Sequence, residues 1–403
     1  MSASDRIDLL RRLYGDVAER VAVQVEDLVT RHRRQAAAAA QWDETDAWLI
    51  TYADQFREPH TPPLQTLRRF MTRHTPWLTG VHVLPFYPWS SDDGFSVTDY
   101  ASVDPRYGTW DDIEALAAER RLVVDAVINH MSAQGEWFRR FLDGGAEFAG
   151  FFRTADPSAD LGGVVRPRTT PLLTRFDGAS GEHWVWTTFS ADQVDLDYRN
   201  PRVLLRMLDV LLGYANHGAA CLRLDAVGFL WKEEGTTSTH LPQTHWVIQL
   251  LRSCFDDTYS NVLLLTEVHL PHAENMAYFG DGTRSEAQLV YQFALPPLVL
   301  HAVGMKDASP LVRWVASLEP PPKGTTFVNF LASHDGVGVR AAEGLIAPEA
   351  IDALAERCRA ARGEVGMRTL PNGLEAPYEL NCTWFDLVGL GCDEDEAVAR
   401  HLA

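Results

Sequence analysis

Seven runs of apolar residues, most of them rich in β-branched side chains, recur along this chain between residues 48 and 335. A continuous apolar run of this length is typical of a strand buried on both faces, as in a parallel sheet. Four of the runs end in charged or polar residues: LVVDAVINH, CLRLDAV, VLLLTEVH and FVNFLASHD. Because active sites of such sheets form at the carboxyl ends of the strands, we expect Asp225, Glu267 and Asp335 to converge on one pocket.

Segments with helical periodicity separate these strands. PLQTLRRFMTRH follows the first strand, WLITYAD, and WDDIEALAAERR leads into LVVDAVINH. A third helix begins after Asn200, a favoured N-cap residue, with Pro201 in its first turn, and ends at Gly218. Alternating strands and helices predict right-handed crossovers and an α/β fold.

The fold class predicted from this alternation is a (β/α)8 TIM barrel. The strands number seven: WLITYAD, VHVLPFYP, LVVDAVINH, CLRLDAV, VLLLTEVH, QLVYQFALP and FVNFLASHD. No eighth strand is predicted after Asp335, where the chain ends in what resembles the first turns of a helix. We therefore expect a barrel without its eighth strand, in a chain truncated at its C-terminus or closed by another route.

Four regions are predicted in the domain organisation. Residues 1–47 are an N-terminal helical segment, in which Ala36–Ala40 either continues the helix or forms a loose tether. Residues 48–130 and 197–403 are the barrel. Residues 131–196 are too long for a plain βα loop and rich in Gly, Pro and aromatic residues, so they predict a small inserted domain after the third strand. Residues 336–394 are expected to be an irregular insertion on the substrate side.

Charge and cysteine content narrow the class of protein. The 403 residues carry a formal net charge of −19, which argues against nucleic acid or an anionic membrane as a partner. A few local arginines could still hold one phosphate. The five cysteines are scattered without metal-ligand spacing, and no stretch resembles a signal peptide or a membrane span. These features predict a cytoplasmic protein with reduced thiols.

Arg223 and Asp225 carry the clearest chemical pattern. Two residues apart on a strand, their side chains project from the same face. A guanidinium beside a carboxylate lowers its pKa and keeps it ionised, which a carboxylate nucleophile requires. The alternative is a buried structural ion pair.

Glu267 follows four apolar or β-branched positions, so we expect its pKa to be raised, as suits a general acid. Asp225 and Glu267 would then be the carboxylate pair of a retaining glycosidase, about 5 to 5.5 Å apart. Asp335, beside His334, would add a third acid that stabilises positive charge at the anomeric carbon. Any one of these carboxylates could instead cap a helix.

The segments DAVINH, LRLDAVGF, LTEVH and FLASHD resemble, in order, the four signature regions of the alpha-amylase superfamily, glycoside hydrolase family 13. This resemblance implies that Asp225 is the nucleophile, Glu267 the acid/base and Asp335 the transition-state stabiliser. It also implies that Arg223, His130 and His334 line the glucosyl subsite. No metal site is expected.

Other segments resemble the sucrose phosphorylase branch of that family, which includes members that act on glucosylglycerate. SSDDGFSVTDY is similar to the segment that holds the terminal glucose and implies roles for Asp92 and Phe95. TTFSADQVDLD implies that Phe189 and Gln193 lie near the acceptor. The resemblance further implies that phosphate or acceptor meets three residues: Arg168, its neighbour Arg166, and His269.

The function implied is a retaining α-glucosyl phosphorylase that transfers glucose to inorganic phosphate through a covalent glucosyl–aspartate. Phosphate would be a co-substrate, with no cofactor. One alternative is a retaining hydrolase or transglucosylase, and another is a truncated, inactive remnant. The donor stays open among sucrose, sucrose 6′-phosphate, glucosylglycerate and glucosylglycerol, and so does the oligomeric state, with a homodimer among the options.

Overall fold

A computed structural model of the protein describes residues 3–33, 42–370 and 374–402. The chain divides into two compact units. The first unit comprises Met1–Val165, Thr170–Glu267 and Gly280–Gln288. The second comprises Arg166–Thr169, Val268–Phe279 and Leu289–Ala403.

The strands of the described residues alternate with helices along most of the chain. The strands are β1 Trp48–Thr51, β2 Gly80–Val83, β3 Arg121–Ala126, β4 His130–Ser132, β5 Leu173–Gly178, β6 Gly181–Trp186, β7 Gln193–Asp195, β8 Ala219–Leu224, β9 Leu263–Thr266, β10 Leu289–Tyr291, β11 Thr326–Val328, β12 Val337–Gly338, β13 Glu364–Thr369 and β14 Glu375–Asn381. The helices are α1 Ala3–Tyr14, α2 Ala18–His32, α3 Pro63–His74, α4 Trp110–Glu119, α5 Glu136–Leu142, α6 Pro201–Asn216, α7 Pro242–Thr258, α8 His272–Asn275, α9 Leu295–Met305, α10 Ser309–Ser317, α11 Pro348–Ala360, α12 Trp384–Gly389 and α13 Glu394–Leu402.

The first unit is built on a parallel sheet in the order β1-β2-β3-β8-β9. Strands β2 and β9 are buried at every position, and β3 and β8 at all but one. Burial on both faces explains why their sequences run apolar without alternation. The parallel pairing places the carboxyl ends of β3, β8 and β9 side by side, and Asp125, Asp225 and Glu267 lie there.

Helix α6 has the ends that the sequence predicts. The Asn200 side chain accepts a hydrogen bond from the backbone N–H of Arg202 at 3.1 Å, and Pro201 is the first helical residue. Gly218 adopts a left-handed conformation (φ +93°) just after the helix, where a Cβ would lie 2.7 Å from the Ala117 side chain. Only glycine fits that turn without strain.

The N-terminal segment forms two helices, α1 and α2, which pack on α7 and α6. Arg6 is buried and pairs with Glu26 at 2.7 Å and with Asp257 at 2.7 Å, so α1 is tied to both α2 and α7. α-Helices thus cover Ala3–Tyr14 and Ala18–His32, while Ala36–Ala40 lies outside the described residues.

Residues 131–196 contain helix α5, a β5–β6 hairpin and strand β7, which pairs antiparallel with β4. They have a small apolar cluster of their own, formed by Val164, Leu172 and Trp186. The β4–β7 pairing joins the two ends of this segment, directly after the carboxyl end of β3.

In the second unit, β10 and β11 form a parallel pair. The seven predicted parallel strands are thus all present in the described part of the chain, as β1, β2, β3, β8, β9, β10 and β11. After β11, the described strands form an antiparallel sheet of order β12-β14-β13.

The prediction that residues 336–394 are irregular was wrong. This stretch contains α11, α12 and the three-stranded antiparallel sheet. The missed signal is helical periodicity in PEAIDALAERCRA, whose residues Ile351, Leu354, Ala355 and Cys358 are buried at three- and four-residue spacing.

Candidate active site

Arg223 joins two carboxylates at the ends of neighbouring strands. Its Nη1 donates to Asp225 Oδ1 at 2.6 Å and to Asp125 Oδ1 at 2.7 Å. All three residues are buried. Asp125 is also held by His82, whose Nε2 lies 2.8 Å from Oδ2. The predicted pairing of Arg223 with Asp225 is confirmed, and the arrangement fixes one oxygen of Asp225.

Glu267 is held against the same group. Its Oε2 accepts a hydrogen bond from the Ala226 N–H at 2.8 Å and lies 3.9 Å from Arg223 Nη2. Ala226 has a left-handed backbone (φ +47°), which is costly for a residue with a Cβ and is typical of functional sites. This turn directly after Asp225 directs the N–H toward Glu267.

The buried environment changes the acidity expected for Asp225. Burial, opposed by Arg223 and reinforced by the nearby Glu267 and Asp125 charges, raises the pKa of Asp225 to about 8. The lowered pKa predicted from the Arg223–Asp225 spacing was wrong, because desolvation outweighs the single guanidinium. Three carboxyl groups around one arginine cannot all ionise cheaply, so burial and mutual repulsion favour a proton within this cluster.

His130, Gln193, Asp92 and Phe95 lie together beside β4 and β7. Gln193 Nε2 donates to Asp92 Oδ2 at 2.8 Å and lies 3.3 Å from His130 Nε2. His130 Nε2 is also 3.0 Å from the Phe95 carbonyl oxygen. The Phe189 ring lies 5.2 Å from the His130 ring. These five predicted site residues are thus close neighbours in the first unit.

This set of side chains contacts Arg223 through Phe95. The Phe95 ring lies 5.5 Å from the Arg223 guanidinium carbon, a cation–π distance. The predicted sugar-binding residues Asp92, Phe95 and His130 therefore adjoin the Asp225 cluster within one unit.

A strained loop presents Asp92. Both Asp92 and Asp93 have left-handed backbones (φ +56° and +49°). Gly94 follows at φ +114°, where a Cβ would lie 2.8 Å from the Pro85 carbonyl oxygen. Asp192 secures the loop by accepting hydrogen bonds from the hydroxyls of Ser90 and Ser91.

Asp335 and His334 belong to the second unit. His334 Nε2 lies 3.4 Å from Asp335 Oδ2, and the Asp335 side chain is 36% exposed. The convergence of Asp335 with Asp225 and Glu267 stays a prediction.

The residues predicted to meet phosphate or acceptor also belong to the second unit. Arg168 Nη1 lies 3.8 Å from the buried Glu379 carboxylate. Arg166 Nη2 donates to the Thr169 carbonyl at 3.2 Å. The His269 ring stacks on Phe293, with centroids 4.1 Å apart. Arg168 thus lies beside strand β14, and His269 stacks on a residue just after strand β10.

Sequence reasoning missed four buried polar residues of this site: His82, Asp125, Asn129 and Lys232. Asp125 could have been found as the one charge inside the run LVVDAV. Lys232 Nζ donates to Asn129 Oδ1 at 2.7 Å and lies 3.4 Å from Asp195. The segment LWKEEG contains no local pattern that predicts these partners.

Among residues 3–33, 42–370 and 374–402, no cluster of His, Cys, Asp and Glu could hold a metal ion. Within the same described ranges, no helix has the length and apolar character to cross a membrane.

The chain is similar to known proteins over most of its length. Residues 77–335 match the family described as Alpha amylase, catalytic domain. A solved structure of sucrose 6F-phosphate phosphorylase from Thermoanaerobacter thermosaccharolyticum superposes with a TM-score of 0.78 at 26% identity, covering 91% of this chain and 75% of that one. These matches confirm the predicted α/β TIM-barrel fold class.

Two curated relatives are more similar in sequence. A glucosylglycerate phosphorylase of Allomeiothermus silvanus is 49% identical over 97% of this chain and 71% of its own length. A glucosylglycerate phosphorylase of Spirochaeta thermophila is 50% identical over 86% of this chain and 59% of its own length. The chain thus matches between 59% and 71% of the lengths of these relatives.

Proposed function

Since this chain belongs to the alpha-amylase family, we propose that it is a retaining α-glucosyl phosphorylase whose donor is glucosylglycerate. The observation that carries the proposal is the Asp225–Arg223–Glu267 cluster, in which two carboxyl groups share one guanidinium at the ends of neighbouring strands. The choice of donor is supported by the relatives at 49% and 50% identity, whose names specify glucosylglycerate.

In the first step, Asp225 attacks the anomeric carbon. Its Oδ1 is hydrogen-bonded to Arg223, so Oδ2 is the oxygen that forms the new carbon–oxygen bond. The glycosidic bond breaks as Glu267 gives its proton to the departing glycerate oxygen. Asp225 must be ionised and Glu267 protonated for this step, so we propose that the proton of the cluster lies on Glu267 when the donor is bound.

In the second step, a phosphate oxygen attacks the same carbon and the bond to Asp225 breaks. Glu267 takes the proton that phosphate gives up. Two inversions restore the original configuration, so the product is α-glucose 1-phosphate and the reaction runs in both directions. Asp335 is proposed to stabilise the positive charge that develops at the anomeric carbon.

Binding of the glucosyl group is assigned to Asp92, His130, Arg223 and His334, with Phe95 as an apolar contact. Gln193 and Phe189 are proposed to face the acceptor. The hydrogen bond between Gln193 and Asp92 supports this division, because it links the two groups of side chains within one unit.

Glycerate, the leaving group, and phosphate, the acceptor, are both anions. We assign their recognition to Arg168 and His269, with Arg166 as a neighbour. The Arg168 side chain is 42% exposed and only loosely paired with Glu379, at 3.8 Å, so an incoming anion would compete with Glu379 for it. No cofactor is proposed, and a cytoplasmic location and a homodimer stay predictions.

The test incubates the purified protein with glucosylglycerate, with and without inorganic phosphate, and measures glucose 1-phosphate and free glucose. We expect glucose 1-phosphate only when phosphate is present, and little free glucose. Free glucose at a rate independent of phosphate would contradict the proposal and identify a hydrolase.

Sucrose, sucrose 6′-phosphate and glucosylglycerol tested in parallel decide the donor. We expect kcat/KM with glucosylglycerate to exceed that with each of the others by at least about tenfold, a difference of roughly 1.4 kcal/mol in transition-state binding. Faster turnover of sucrose would overturn the choice of donor while leaving the phosphorylase activity in place.

A further inference from the structure

Lys232 is fully enclosed in the first unit, with 3% of its surface exposed. Its Nζ donates to Asn129 Oδ1 at 2.7 Å and to the Phe229 carbonyl oxygen at 2.7 Å, and it lies 3.4 Å from Asp195 Oδ2. An ammonium group has three N–H donors, and here each has an oxygen to meet. The mechanism proposed above gives this buried cation no role.

The Lys232 contact fixes the orientation of the Asn129 amide. An ammonium can only donate, so the amide oxygen must face Lys232 and the amide nitrogen must face the other way. That nitrogen, Nδ2, lies 3.1 Å from His130 Nδ1. Because Asn129 is completely buried, water cannot compete for either end of the amide.

The orientation of Asn129 in turn selects one form of the His130 ring. An amide N–H pointing at Nδ1 requires a lone pair there, so the ring proton must be on Nε2. Nε2 lies 3.0 Å from the Phe95 carbonyl oxygen, which accepts that proton. With the ring proton on Nδ1 instead, two N–H donors would face each other between Asn129 and His130. At the other side of the ring, the Nε2 lone pair would face the lone pairs of the Phe95 carbonyl oxygen.

Among the residues that the structure describes, Gln193 is the one neighbour that would favour the opposite form, since its Nε2 lies 3.3 Å from His130 Nε2. Gln193 Nε2 already donates to Asp92 at 2.8 Å, however, and that contact is shorter. The contacts of His130 with Asn129 and Phe95 therefore outweigh its longer contact with Gln193.

We propose that Lys232 is a positioning residue that acts through Asn129 to hold His130 neutral, with its proton on Nε2. The consequence for turnover rests on the proposed function, in which His130 belongs to the residues that bind the glucosyl group. The protonation state itself does not depend on that function and can be measured without substrate.

The charges around His130 agree with a neutral ring. Burial, together with the Lys232 charge, lowers the pKa of His130 to about 3, although the Phe95 carbonyl opposes this shift. The other charged groups near the ring are Asp195, its partner across the β4–β7 ladder, and Asp92, reached through Gln193. Neither carboxylate is hydrogen-bonded to the ring in place of Asn129 or Phe95.

The decisive measurement is the ¹⁵N spectrum of the histidine rings in the wild-type protein, with His130 assigned by its loss in His130→Gln. We expect His130 to stay neutral, with the proton on Nε2, from pH 8 down to pH 5. A proton on Nδ1, or a charged ring at pH 6, would overturn the proposal even if the Asn129 and Lys232 variants failed to fold.

Two variants break the connection at different points. Asn129→Asp keeps an oxygen for Lys232 but replaces the N–H donor with an acceptor, so we expect the His130 proton to move to Nδ1 and its pKa to rise. Lys232→Met removes the group that orients the amide, so we expect a mixture of the two neutral forms. An unchanged His130 signal in either folded variant would contradict the proposal.

Asp195→Asn is the matched control, because it removes the charge partner of Lys232 while leaving the Lys232–Asn129 contact in place. If Lys232 served only as half of a buried ion pair, Asp195→Asn and Lys232→Met would change the His130 spectrum alike. We expect only Lys232→Met to change it.

The pH profile provides a second readout. Asn129→Asp places a carboxylate beside Nδ1, so where the His130 pKa rises to the ordinary value near 6.5, kcat/KM at pH 5.5 falls about tenfold further below its value at pH 7.5 than in the wild type. A profile parallel to that of the wild type, with an altered ¹⁵N spectrum, would show that His130 is positioned as proposed but does not act on the sugar.

Discussion

Arg223 links the carboxylates of the candidate active site in the first unit. It donates from one nitrogen to both Asp125 and Asp225, and both acceptors are buried. Asp125 therefore helps to hold Arg223 in place while Asp225 keeps one oxygen available for reaction. A sequence pattern could pair Arg223 with Asp225 by alternation, but the position of Asp125 on the neighbouring strand follows from the sheet register, in which Asp125 and Arg223 are partners.

Replacing the nucleophile is the simplest test at this scale. We expect Asp225→Asn to lower kcat by about a thousandfold or more, because an amide cannot form the glucosyl ester. The measurement is the initial rate of glucose 1-phosphate formation, with the circular dichroism spectrum as a check of folding. Asp177→Asn, at an exposed aspartate paired with Arg175, is the control and should match the wild type. Activity of Asp225→Asn above a tenth of the wild-type rate would contradict the assignment.

The raised pKa of Asp225 predicts that the activity depends on pH. The pKa of Asp225 is raised to about 8 by burial, with Arg223 opposing the shift. As pH rises through this value the pair of Asp225 and Glu267 loses its proton, Glu267 can no longer act as an acid, and kcat/KM should fall. Initial rates from pH 6 to 10 at low donor concentration test this. A rate that is constant up to pH 9.5 would show that the pair is already fully ionised in the free protein.

At the scale of elements, the loop after β2 and the segment that leads into β7 are joined by one carboxylate. Asp192 accepts hydrogen bonds from Ser90 and Ser91 in that loop, and from Ser132 at the end of β4 at 3.2 Å. The elements that carry Asp92, His130 and Gln193 are thereby fixed to one another. Local sequence did not indicate this, because Ser90 and Asp192 are more than a hundred residues apart.

Removing this junction should loosen the sugar-binding residues. We expect Asp192→Ala to lower the free energy of unfolding by about 1 to 3 kcal/mol, since three hydroxyls lose their acceptor. We also expect the KM for the donor to rise while the catalytic carboxylates keep their positions. Urea unfolding and initial rates measure the two effects. The exposed Asp177→Ala should change stability by less than about 0.5 kcal/mol, and an equal effect of both variants would contradict the role of Asp192.

At the scale of the whole molecule, the net charge of −19 opposes the binding of anions. Glucosylglycerate and phosphate are both anionic, whereas sucrose is neutral. Screening weakens this repulsion, because the Debye length falls from about 30 Å at 0.01 M salt to about 10 Å at 0.1 M.

Ionic strength should therefore affect the donors differently. We expect kcat/KM for glucosylglycerate at fixed phosphate to rise roughly two- to threefold between 0.01 and 0.1 M sodium chloride. The value for any turnover of sucrose under the same conditions should change less, since only the phosphate step is affected. A decrease for glucosylglycerate would show that local cations such as Arg168 dominate the field at the site.

The sequence by itself determined the seven parallel strands, the helices α3, α4 and α6 between them, and the carboxylates Asp225 and Glu267 at the strand ends. These follow from short-range rules: burial on both faces makes a strand continuously apolar, and polar residues mark the point where it leaves the core. The pairing of Arg223 with Asp225 needed only the alternation of side chains along one strand.

The tertiary structure decided what depends on neighbours distant in the chain. Burial of Asp225 with Asp125 and Glu267 reversed the direction of its pKa shift, because desolvation and repulsion depend on everything packed around a charge. The contact of Lys232 with Asn129, and through it the form of His130, likewise joins segments about a hundred residues apart. Such contacts leave no periodic pattern, since they are specified by the fold and not by adjacent residues.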